Sequence, residues 1–316
     1  MLSLIKMQQE LKEIVKGQDA ICDSLCLLIY KYLIRAHAHD HGCYFEHPLS
    51  ALLCGKTGCG KTYTLQTLAS ICNLPFYEIN SKSISQEGWY GTSFLDLLIK
   101  SGFEKPGIIF LDEFDKLALK NDSTHGDVSV QIQASILKYI EGYNPPEQTV
   151  TKDGYKKLLK FNFHKCIFFF SGAFTSIYES KAQTFIGFLN QQQQKSSLKE
   201  TAIEEFAKAG VLPEVLGRVH EFYFLNDVTE DVFYSVLYSD DFIYTNYIIL
   251  FKKLGINLAV SFDSDRAIQE AIKANLGVRG LVQSVESQVS EIMSNHINDI
   301  NLDKFSPFSI YPYRAK

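Results

Sequence analysis

Several features of other protein classes are missing from this sequence of 316 residues. No apolar run approaches the roughly 18 to 20 residues of a membrane-spanning helix. The first ten residues lack the basic and then apolar pattern of a secretory signal. A formal net charge of −5 gives no electrostatic reason to expect nucleic acid or an anionic membrane as the main partner. We therefore expect a cytoplasmic protein with no nucleic-acid or membrane partner.

Paired cysteine motifs are also missing. The seven cysteines are an odd number without a C-x-x-C pair, which argues against a disulfide framework and a structural zinc module. Half of the eight histidines, however, fall in one polar connection with an aspartate and a cysteine. The cluster consists of His37, His39, Asp40, His41, Cys43 and His47. Such a cluster is either a polar surface loop or a Zn²⁺ or Ni²⁺ site, and the sequence leaves both open.

What is present is the composition of a folded protein, with 46% apolar and 21% charged residues. Short apolar runs alternate with helical patterns through the first two thirds of the chain. The predicted strands are 48–54, 76–80, 107–112, 166–171 and 221–225, and the predicted helices are 21–33, 62–72, 93–100, 130–141 and 199–209. This alternation predicts an α/β fold with a parallel sheet covered by helices.

The second part of the chain has a different pattern. After residue 225 the strand signals fade and helical periodicity continues to about residue 296, with a further short strand expected near the end. We predict two domains, an α/β domain over 1–225 and a smaller, mainly helical domain over 226–316. Residues 191–197 form a Gln-rich tract of low complexity, which predicts a mobile loop.

A phosphate-binding signature follows the first predicted strand. Residues 55–62 match G-x-x-x-x-G-K-[ST] between a strand and an amphipathic helix, and they are Gly55, Lys56, Thr57, Gly58, Cys59, Gly60, Lys61 and Thr62. Glycines let backbone N–H groups turn toward phosphate oxygens, and the helix N-terminus adds a positive dipole. Lys61 is predicted to reach the outer phosphates of ATP, and the Thr62 hydroxyl to ligate Mg²⁺.

An acidic pair ends the third predicted strand. Asp112 and Glu113 follow Ile-Ile-Phe-Leu. The pair is either a solvated strand end or a site for a cation and a water molecule, and the phosphate loop favours the second interpretation. Asp112 is then predicted to help hold Mg²⁺, and Glu113 to polarise the attacking water. The two motifs together predict an ATPase.

These motifs resemble those of the AAA+ Clp ATPases and, among them, the ClpX group more closely than HslU. The resemblance covers nearly the whole chain, from Val15-Lys-Gly-Gln18 to the helix after Arg279. Residues 107–116 look like the Walker B strand of the family, and 137–142 like the helix end that follows. The resemblance implies a P-loop AAA+ module with a five-stranded parallel sheet flanked by helices, plus a smaller helical C-terminal domain.

The resemblance also assigns roles to single residues. It adds Val15, Gln18 and Tyr63 to the ATP-binding residues and makes Ser171, in Ser-Gly-Ala-Phe174, the sensor of the γ-phosphate. Arg218, in Leu-Pro-Glu-Val-Leu-Gly-Arg, matches the arginine finger that completes the site of a neighbouring subunit. Arg279, in Gly-Val-Arg-Gly, matches sensor 2, which contacts the nucleotide from the small domain. Each arginine is otherwise a surface or salt-bridge residue.

Two further segments resemble loops that handle protein partners. Residues 88–91 stand where the family has a glycine-flanked aromatic loop that grips polypeptide in the pore, and 186–188 where ClpX-like chains carry the loop that docks on the ClpP peptidase ring. They are Gly88, Trp89, Tyr90 and Gly91, and Ile186, Gly187 and Phe188. On residue type alone Trp89 is a buried core residue, and the resemblance favours the pore loop instead.

The chain departs from the family at its N-terminus, in residues 126–133 and in the second pore loop near residues 149–160, which keeps its positive charge but not the family sequence. It begins almost directly at the ATPase module, so we expect no counterpart of the N-terminal four-cysteine zinc domain. Residues 126–133 lose one basic and one acidic residue of the family pattern, which puts contacts between subunits in question.

The resemblance implies an ATP-dependent protein unfoldase and translocase that acts as a homo-oligomer, expected to be a hexamer, on protein substrates and delivers them to a ClpP-like peptidase. A remodelling chaperone that acts on one dedicated partner without a peptidase is the alternative. A DNA-acting AAA+ motor is a second alternative, which the acidic balance and the two aromatic residues of the pore loop disfavour.

Overall fold

The computed structural model describes residues 3–85, 92–118, 126–152, 155–178, 195–256 and 258–296. The chain forms two compact units, Met1–Asp227 and Val228–Lys316. The division falls two residues after the domain boundary predicted at residue 225.

The first unit is built on the parallel sheet that the apolar runs predict. Its strands are β1 (Leu49–Cys54), β2 (Phe76–Asn80), β3 (Ile108–Asp112), β4 (Gln148–Lys152), β5 (Tyr155–Leu159), β6 (Ile167–Gly172) and β7 (Glu221–Phe224). Among the described residues, five strands form one sheet in the order β2-β3-β6-β1-β7, with every neighbouring pair parallel. β1 and β6 are buried along their whole length, which explains their continuous apolar runs. The five-stranded parallel sheet is confirmed.

Helices cover both faces of this sheet. They are α1 (Leu4–Ile14), α2 (Asp19–Asp40), α3 (Lys61–Ile71), α4 (Phe94–Lys100), α5 (Phe114–Ala118), α6 (Gly126–Ile140), α7 (Lys195–Lys208) and α8 (Pro213–Leu216). Successive residues of β6 divide between two cores. Phe169 packs with Leu65 of α3 and Leu25 of α2, whereas Phe168 and Phe170 pack on the side of α4 and α6. The sheet is therefore held between two apolar layers, as an α/β fold requires.

The second helix is longer than predicted. It continues to Asp40, whereas the apolar periodicity ended at Leu33, so His37 and His39 are helical and do not belong to a loop. The rings of His37 and His41 lie one turn apart with centroids 4.4 Å from each other. No group of three or more His, Cys, Asp or Glu residues is placed to hold a metal ion in the part of the chain that the structure describes. An exposed helical turn lacks the apolar pattern on which the prediction depended.

Two other elements differ from the predictions. Residues 195–197, expected within a mobile loop, form the first turn of α7, and the rest of that tract, 191–194, lies outside the described residues. β4 and β5 form an antiparallel pair that was not predicted. The sequence between them reads Asp153-Gly154, a typical hairpin turn signal, but the flanking strands are too polar to show clear alternation.

The second unit is helical, as predicted, over the residues that the structure describes there. Its helices are α9 (Glu230–Leu237), α10 (Ile243–Leu254), α11 (Leu258–Ser261), α12 (Ser264–Ala274) and α13 (Val278–Asn295). They pack around Phe251, Ile268, Leu281 and Val285, all fully buried. The strand expected near the end falls after residue 296, outside the described residues. No described helix in either unit has the length and apolar character needed to span a bilayer.

Candidate nucleotide-binding site

The predicted phosphate loop joins the end of β1 to the start of α3. Gly58 and Gly60 have φ angles of 77° and 99°, which are strained for residues with a Cβ. Gly60 is the N-cap of α3, and it has no side chain to cap the first helical N–H groups. Those groups and the helix dipole are therefore available to an anion.

Gly55 is required by close packing. A Cβ at this position would lie 2.9 Å from Cys59 Sγ and 3.1 Å from Leu225 Cβ, at the end of β7. Cys59 is itself buried, and burial raises the pKa of its thiol. The thiol is therefore neutral at physiological pH and acts as a packing group under the loop.

Lys61 lies within the turn of the loop. Its Nζ atom donates to the carbonyl oxygens of Gly55, at 2.6 Å, and Lys56, at 3.0 Å. Thr62 follows as the second residue of α3, and Tyr63 is half exposed on the same turn. The structure thus brings the predicted phosphate-binding lysine and the predicted Mg²⁺ ligand Thr62 to the mouth of the loop.

The acidic pair lies at the same edge of the sheet. Asp112 is the last residue of β3, and its Oδ1 atom accepts a hydrogen bond from the backbone N–H of Glu113 at 2.9 Å. Glu113 has a φ angle of 55°, a left-handed conformation that costs a non-glycine residue about 1 kcal/mol. Because β6 lies between β3 and β1, the ends of β1 and β3 are about 10 Å apart.

The carboxylate of Glu113 has two neighbours that the sequence did not indicate. Asn80 Nδ2, at 3.2 Å, and Lys82 Nζ, at 2.9 Å, both contact Glu113 Oε2. The ammonium of Lys82, with the hydrogen bond from Asn80, holds the pKa of Glu113 below its ordinary value. Glu113 is therefore ionised at neutral pH. Asn80 pairs with Asp112 in the register of β2 and β3, which explains why it reaches the acidic pair.

Ser171 lies on β6, between the two motifs. It is fully buried, and its Oγ atom has no hydrogen-bond partner among the described residues. A buried hydroxyl without a partner costs about 1 to 3 kcal/mol. Its register partner is Leu53 of β1, one residue before the strand ends. Ser171 therefore has unused hydrogen-bonding capacity at the edge where a nucleotide phosphate is predicted.

The segment before α2 contacts the phosphate loop and the residues that follow β7. The Gln18 side chain is almost fully buried. Its Nε2 atom donates to the carbonyls of Asn226, at 2.9 Å, and Cys59, at 3.4 Å, and its Oε1 atom accepts from the N–H of Asn226 at 2.9 Å. Val15 is buried on the same segment. The structure thus connects Gln18 to the phosphate loop through the carbonyl of Cys59, and it buries Val15 in the same apolar cluster as Cys59.

A polar cluster beside the phosphate loop was not predicted from the sequence. Lys56 Nζ contacts Asp227 Oδ2 at 2.6 Å, and the Tyr178 hydroxyl donates to Asp227 Oδ1 at 3.0 Å and to the carbonyl of Leu225 at 2.7 Å. The hydrogen bond to the Leu225 carbonyl ties Tyr178 to the end of β7. No sequence signal connects residues so far apart in the chain, because only the folded sheet brings them together.

Arg218 lies at the opposite edge of the sheet. Its carbonyl accepts a hydrogen bond from Ser50, the second residue of β1, and its guanidinium contacts Glu141 Oε1 at 2.8 Å. Along β1, the five residue steps from Ser50 to Gly55 span about 16 Å. The backbone of Arg218 therefore lies at the end of β1 that is remote from the phosphate loop of its own chain.

The remaining predicted residues are not brought to the site by the described structure. Arg279 is the second residue of α13 in the second unit. The predicted pore loop, Gly88, Trp89, Tyr90 and Gly91, and the predicted docking loop, Ile186, Gly187 and Phe188, lie outside the described residues.

The chain is similar to known ATPases over the region that contains the phosphate loop and the acidic pair. Residues 51–167 match the model of the ATPase family associated with various cellular activities (AAA), a range that contains the phosphate loop and the acidic pair. A protein of Borrelia duttonii is 29% identical over 314 residues, which cover 91% of this chain and 73% of that protein. One of Bacteroides thetaiotaomicron is 28% identical over 315 residues, covering 92% and 76%. Both are named ATP-dependent Clp protease ATP-binding subunit ClpX.

Proposed function

This chain is a ClpX-like AAA+ ATPase, and we propose that it uses ATP hydrolysis to unfold protein substrates and to move them through the pore of a ring. The observation that carries the proposal is the edge of the sheet at which β1, β3 and β6 end. Phosphate loop, acidic pair and buried serine hydroxyl come together there from three separate parts of the sequence.

The roles follow from position. Lys61 and the N–H groups of the loop bind the phosphates, and Ser171 donates its free hydroxyl to the γ-phosphate. Thr62 and Asp112 offer the hard oxygen ligands that Mg²⁺ prefers. Bound Mg²⁺ supplies positive charge that offsets the charge developing on the phosphates. Glu113 is ionised, so it can accept a proton from the attacking water.

The position of Arg218 supports a ring. The backbone of Arg218 is bonded to Ser50, about 16 Å along β1 from Gly55, and a position at that end of the strand suits an arginine that completes the site of the next copy around a closed ring. Hydrolysis then depends on assembly, expected to be a hexamer. By the resemblance, the substrate polypeptide is gripped by the loop of Gly88, Trp89, Tyr90 and Gly91. The same resemblance assigns contact with the nucleotide to Arg279 of the small domain. The relatives are named as subunits of a Clp protease, which supports a ClpP-like peptidase as the partner.

The substitution Glu113→Gln tests the site. It keeps the shape of the side chain but removes the base, so we expect kcat to fall by about 10²-fold or more while ATP still binds. Steady-state ATPase measurements and the affinity for a fluorescent ATP analogue check both parts. Undiminished turnover would remove Glu113 from the mechanism.

The unfolding proposal needs a separate experiment. Trp89→Ala with Tyr90→Ala is expected to stop unfolding of a tagged fluorescent protein while an ATP analogue still binds. Normal unfolding by this variant would contradict the role of residues 88–91. Pull-down of a ClpP-like peptidase ring, with and without Ile186→Ala and Phe188→Ala, separates a protease subunit from a chaperone that works alone.

A further inference from the structure

The phosphate loop needs contacts that hold its shape. Gly55, Gly58 and Gly60 give its backbone more conformational freedom than other residues would. Lys61 supplies two contacts from within the loop, to the carbonyl oxygens of Gly55 and Lys56. The ammonium of Lys61 is also the group predicted to bind the phosphates of ATP. Its contacts with the loop therefore compete with the nucleotide, and the loop needs other anchors when the site is filled.

Contacts from outside the loop lead to the segment that follows β7. Gln18 Nε2 lies 3.4 Å from the carbonyl oxygen of Cys59 and 2.9 Å from that of Asn226. Lys56 Nζ lies 2.6 Å from Asp227 Oδ2. Both ends of the loop are thus connected to two consecutive residues after β7. The ion pair between Lys56 and Asp227 uses neither Lys61 nor a backbone N–H group of the loop, so phosphate binding does not have to break it.

The carboxylate of Asp227 is itself held in place. The hydroxyl of Tyr178 lies 3.0 Å from Asp227 Oδ1 and 2.7 Å from the carbonyl oxygen of Leu225. Burial of Tyr178 and the neighbouring carboxylate of Asp227 raise the pKa of this hydroxyl, so it stays protonated and remains a donor. Because Asp227 is already ordered by Tyr178, its ion pair with Lys56 costs less conformational entropy than a pair between two unrestrained side chains.

We propose that Lys56 is a positioning residue for ATP binding, and that its ion pair with Asp227 fixes the phosphate loop in the form that accepts the phosphates. The inference rests on the proposed role of this loop in binding ATP. There are two competing explanations. Lys56 could act on the phosphates by its charge alone, or the pair could be an ordinary surface ion pair without effect on the nucleotide.

The first test compares Lys56→Met with Lys56→Arg. Methionine removes the charge at similar length, so we expect KM for ATP and Kd for a fluorescent ATP analogue to rise by about three- to fivefold, the upper range for an exposed ion pair. The value of kcat should stay within about 1.5-fold of wild type, because uniform binding is lost and the acidic pair is not altered. Arginine keeps the charge and should return KM and Kd to near the wild-type values.

The substitution Asp227→Asn separates positioning from charge. It removes the partner of Lys56 and also one negative charge beside the loop. If Lys56 acted by its charge alone, the analogue would bind more tightly to this variant. Under the proposal the affinity falls by about three- to fivefold, because the loop loses its anchor. Tighter or unchanged binding in Asp227→Asn would overturn the inference.

The double variant Lys56→Met with Asp227→Asn measures whether the two residues act through one contact. Either single substitution breaks the pair, so the double variant should bind the analogue no more weakly than the weaker single variant. Additive losses would show separate effects and would contradict the proposal. The side chains of Lys56 and Asp227 are partly exposed, so both single variants should fold, and thermal unfolding without nucleotide verifies this.

A matched control is available on α1. Lys12 forms an ion pair with Asp23 at 2.6 Å, the same distance as in the pair of Lys56 with Asp227. The exposed fractions of the side chains are also similar, 33% and 42% against 39% and 48%. Neither Lys12 nor Asp23 is part of the candidate site, so Lys12→Met should leave KM and Kd at their wild-type values. An equal rise in Lys12→Met and Lys56→Met would overturn the inference.

The two proposals fail in different ways. A wild-type chain that does not bind the ATP analogue would remove the proposed function, on which this inference rests. Normal binding and turnover in the wild type, with an unchanged KM in Lys56→Met, would remove only the inference about Lys56.

Discussion

In the parallel sheet, the carboxyl ends of the strands form one edge and the amino ends form the opposite edge. The two edges can be compared directly, because β1 runs from one to the other. At its carboxyl end β1 leads into the phosphate loop, beside the acidic pair and a serine hydroxyl that has no hydrogen-bond partner in the part of the chain that the structure describes. At its amino end, Ser50 bonds to the carbonyl of Arg218. There the guanidinium of Arg218 contacts Glu141, which also lines an open cleft of about 490 Å³. Lys138, Gly142, Tyr143 and His164 line the rest of the cleft.

The two edges differ in which of the groups predicted for ATP hydrolysis they contain. Among the described residues, the carboxyl edge brings together the phosphate loop, the acidic pair and the serine that are predicted to act in phosphoryl transfer, but not the predicted arginine finger. The amino edge supplies an arginine but no phosphate loop. Under the proposed function, the two edges complete each other when the amino edge of one copy faces the carboxyl edge of the next.

Arg218→Ala is the substitution with the largest expected effect on the proposed pairing of the two edges. Removing an arginine finger should lower kcat by about 10³-fold or more and leave the affinity for an ATP analogue nearly unchanged. ATPase assays and analogue titration measure the two effects.

Mixing two inactive variants locates the finger. When Arg218→Ala and Glu113→Gln are mixed in equal amounts, about one quarter of the sites in a random ring combine an intact Glu113 with an intact neighbouring arginine. Turnover should return to about that fraction. A mixture that stays inactive, although the variants assemble together, would place Arg218 outside the neighbouring site.

Two buried serines on β1 and β6 sharpen the comparison. Ser171 and Ser50 are both fully buried, but only Ser50 has a hydrogen-bond partner for its hydroxyl among the described residues. Ser171→Ala should lower kcat by about 10²-fold, because a phosphate ligand is lost. In the absence of nucleotide it should also stabilise the fold by about 1 kcal/mol, because an unpaired hydroxyl is removed.

Ser50→Ala is the matched variant. It should destabilise the fold by about 1 kcal/mol, since the hydrogen bond to the Arg218 carbonyl is lost. Urea unfolding without nucleotide measures both free energies. Equal signs for the two serines would mean that the hydroxyl of Ser171 has a partner in solution.

Gly142→Ala is expected to change the stability of the fold and not kcat, and it tests the packing of the amino edge. The residue has a φ angle of 89°, and a Cβ would lie 2.3 Å from Cε1 of His164. We expect a loss of about 2 to 3 kcal/mol in the free energy of unfolding, from backbone strain and overpacking. Gly42→Ala is the control, because Gly42 has a φ of 83° but nothing within 4 Å of its Cβ position. It should cost only the strain, about 1 kcal/mol. Equal losses would show that His164 moves away freely.

The sequence predicted those features that depend on local pattern. The apolar runs placed both ends of all five strands of the sheet within one residue, because strands buried on both faces need continuous apolar sequence. The phosphate loop and Asp112 with Glu113 were found because their spacing is fixed by the strand–loop–helix geometry. α2 was predicted too short and the β4–β5 pair was missed, because polar residues in exposed elements leave little periodicity.

The contacts around these motifs could not be predicted. Asn80 and Lys82 reach Glu113 only because β2 and β3 are neighbours, and Asp227 reaches Lys56 only because β7 lies next to β1. Strand order is a property of the folded chain. A sequence without homologues to compare gives no direct measure of it.

The hydrogen bonds of Gln18 affect the backbone that follows β7, the outer strand of the described sheet. β7 is an outer strand, and outer strands present unpaired backbone groups to which another chain can add. The amide of Gln18 bonds to both the N–H and the carbonyl of Asn226, two residues beyond β7, as the backbone of an additional strand would. One side chain thus already uses, at this residue, the two backbone groups that an added strand would need.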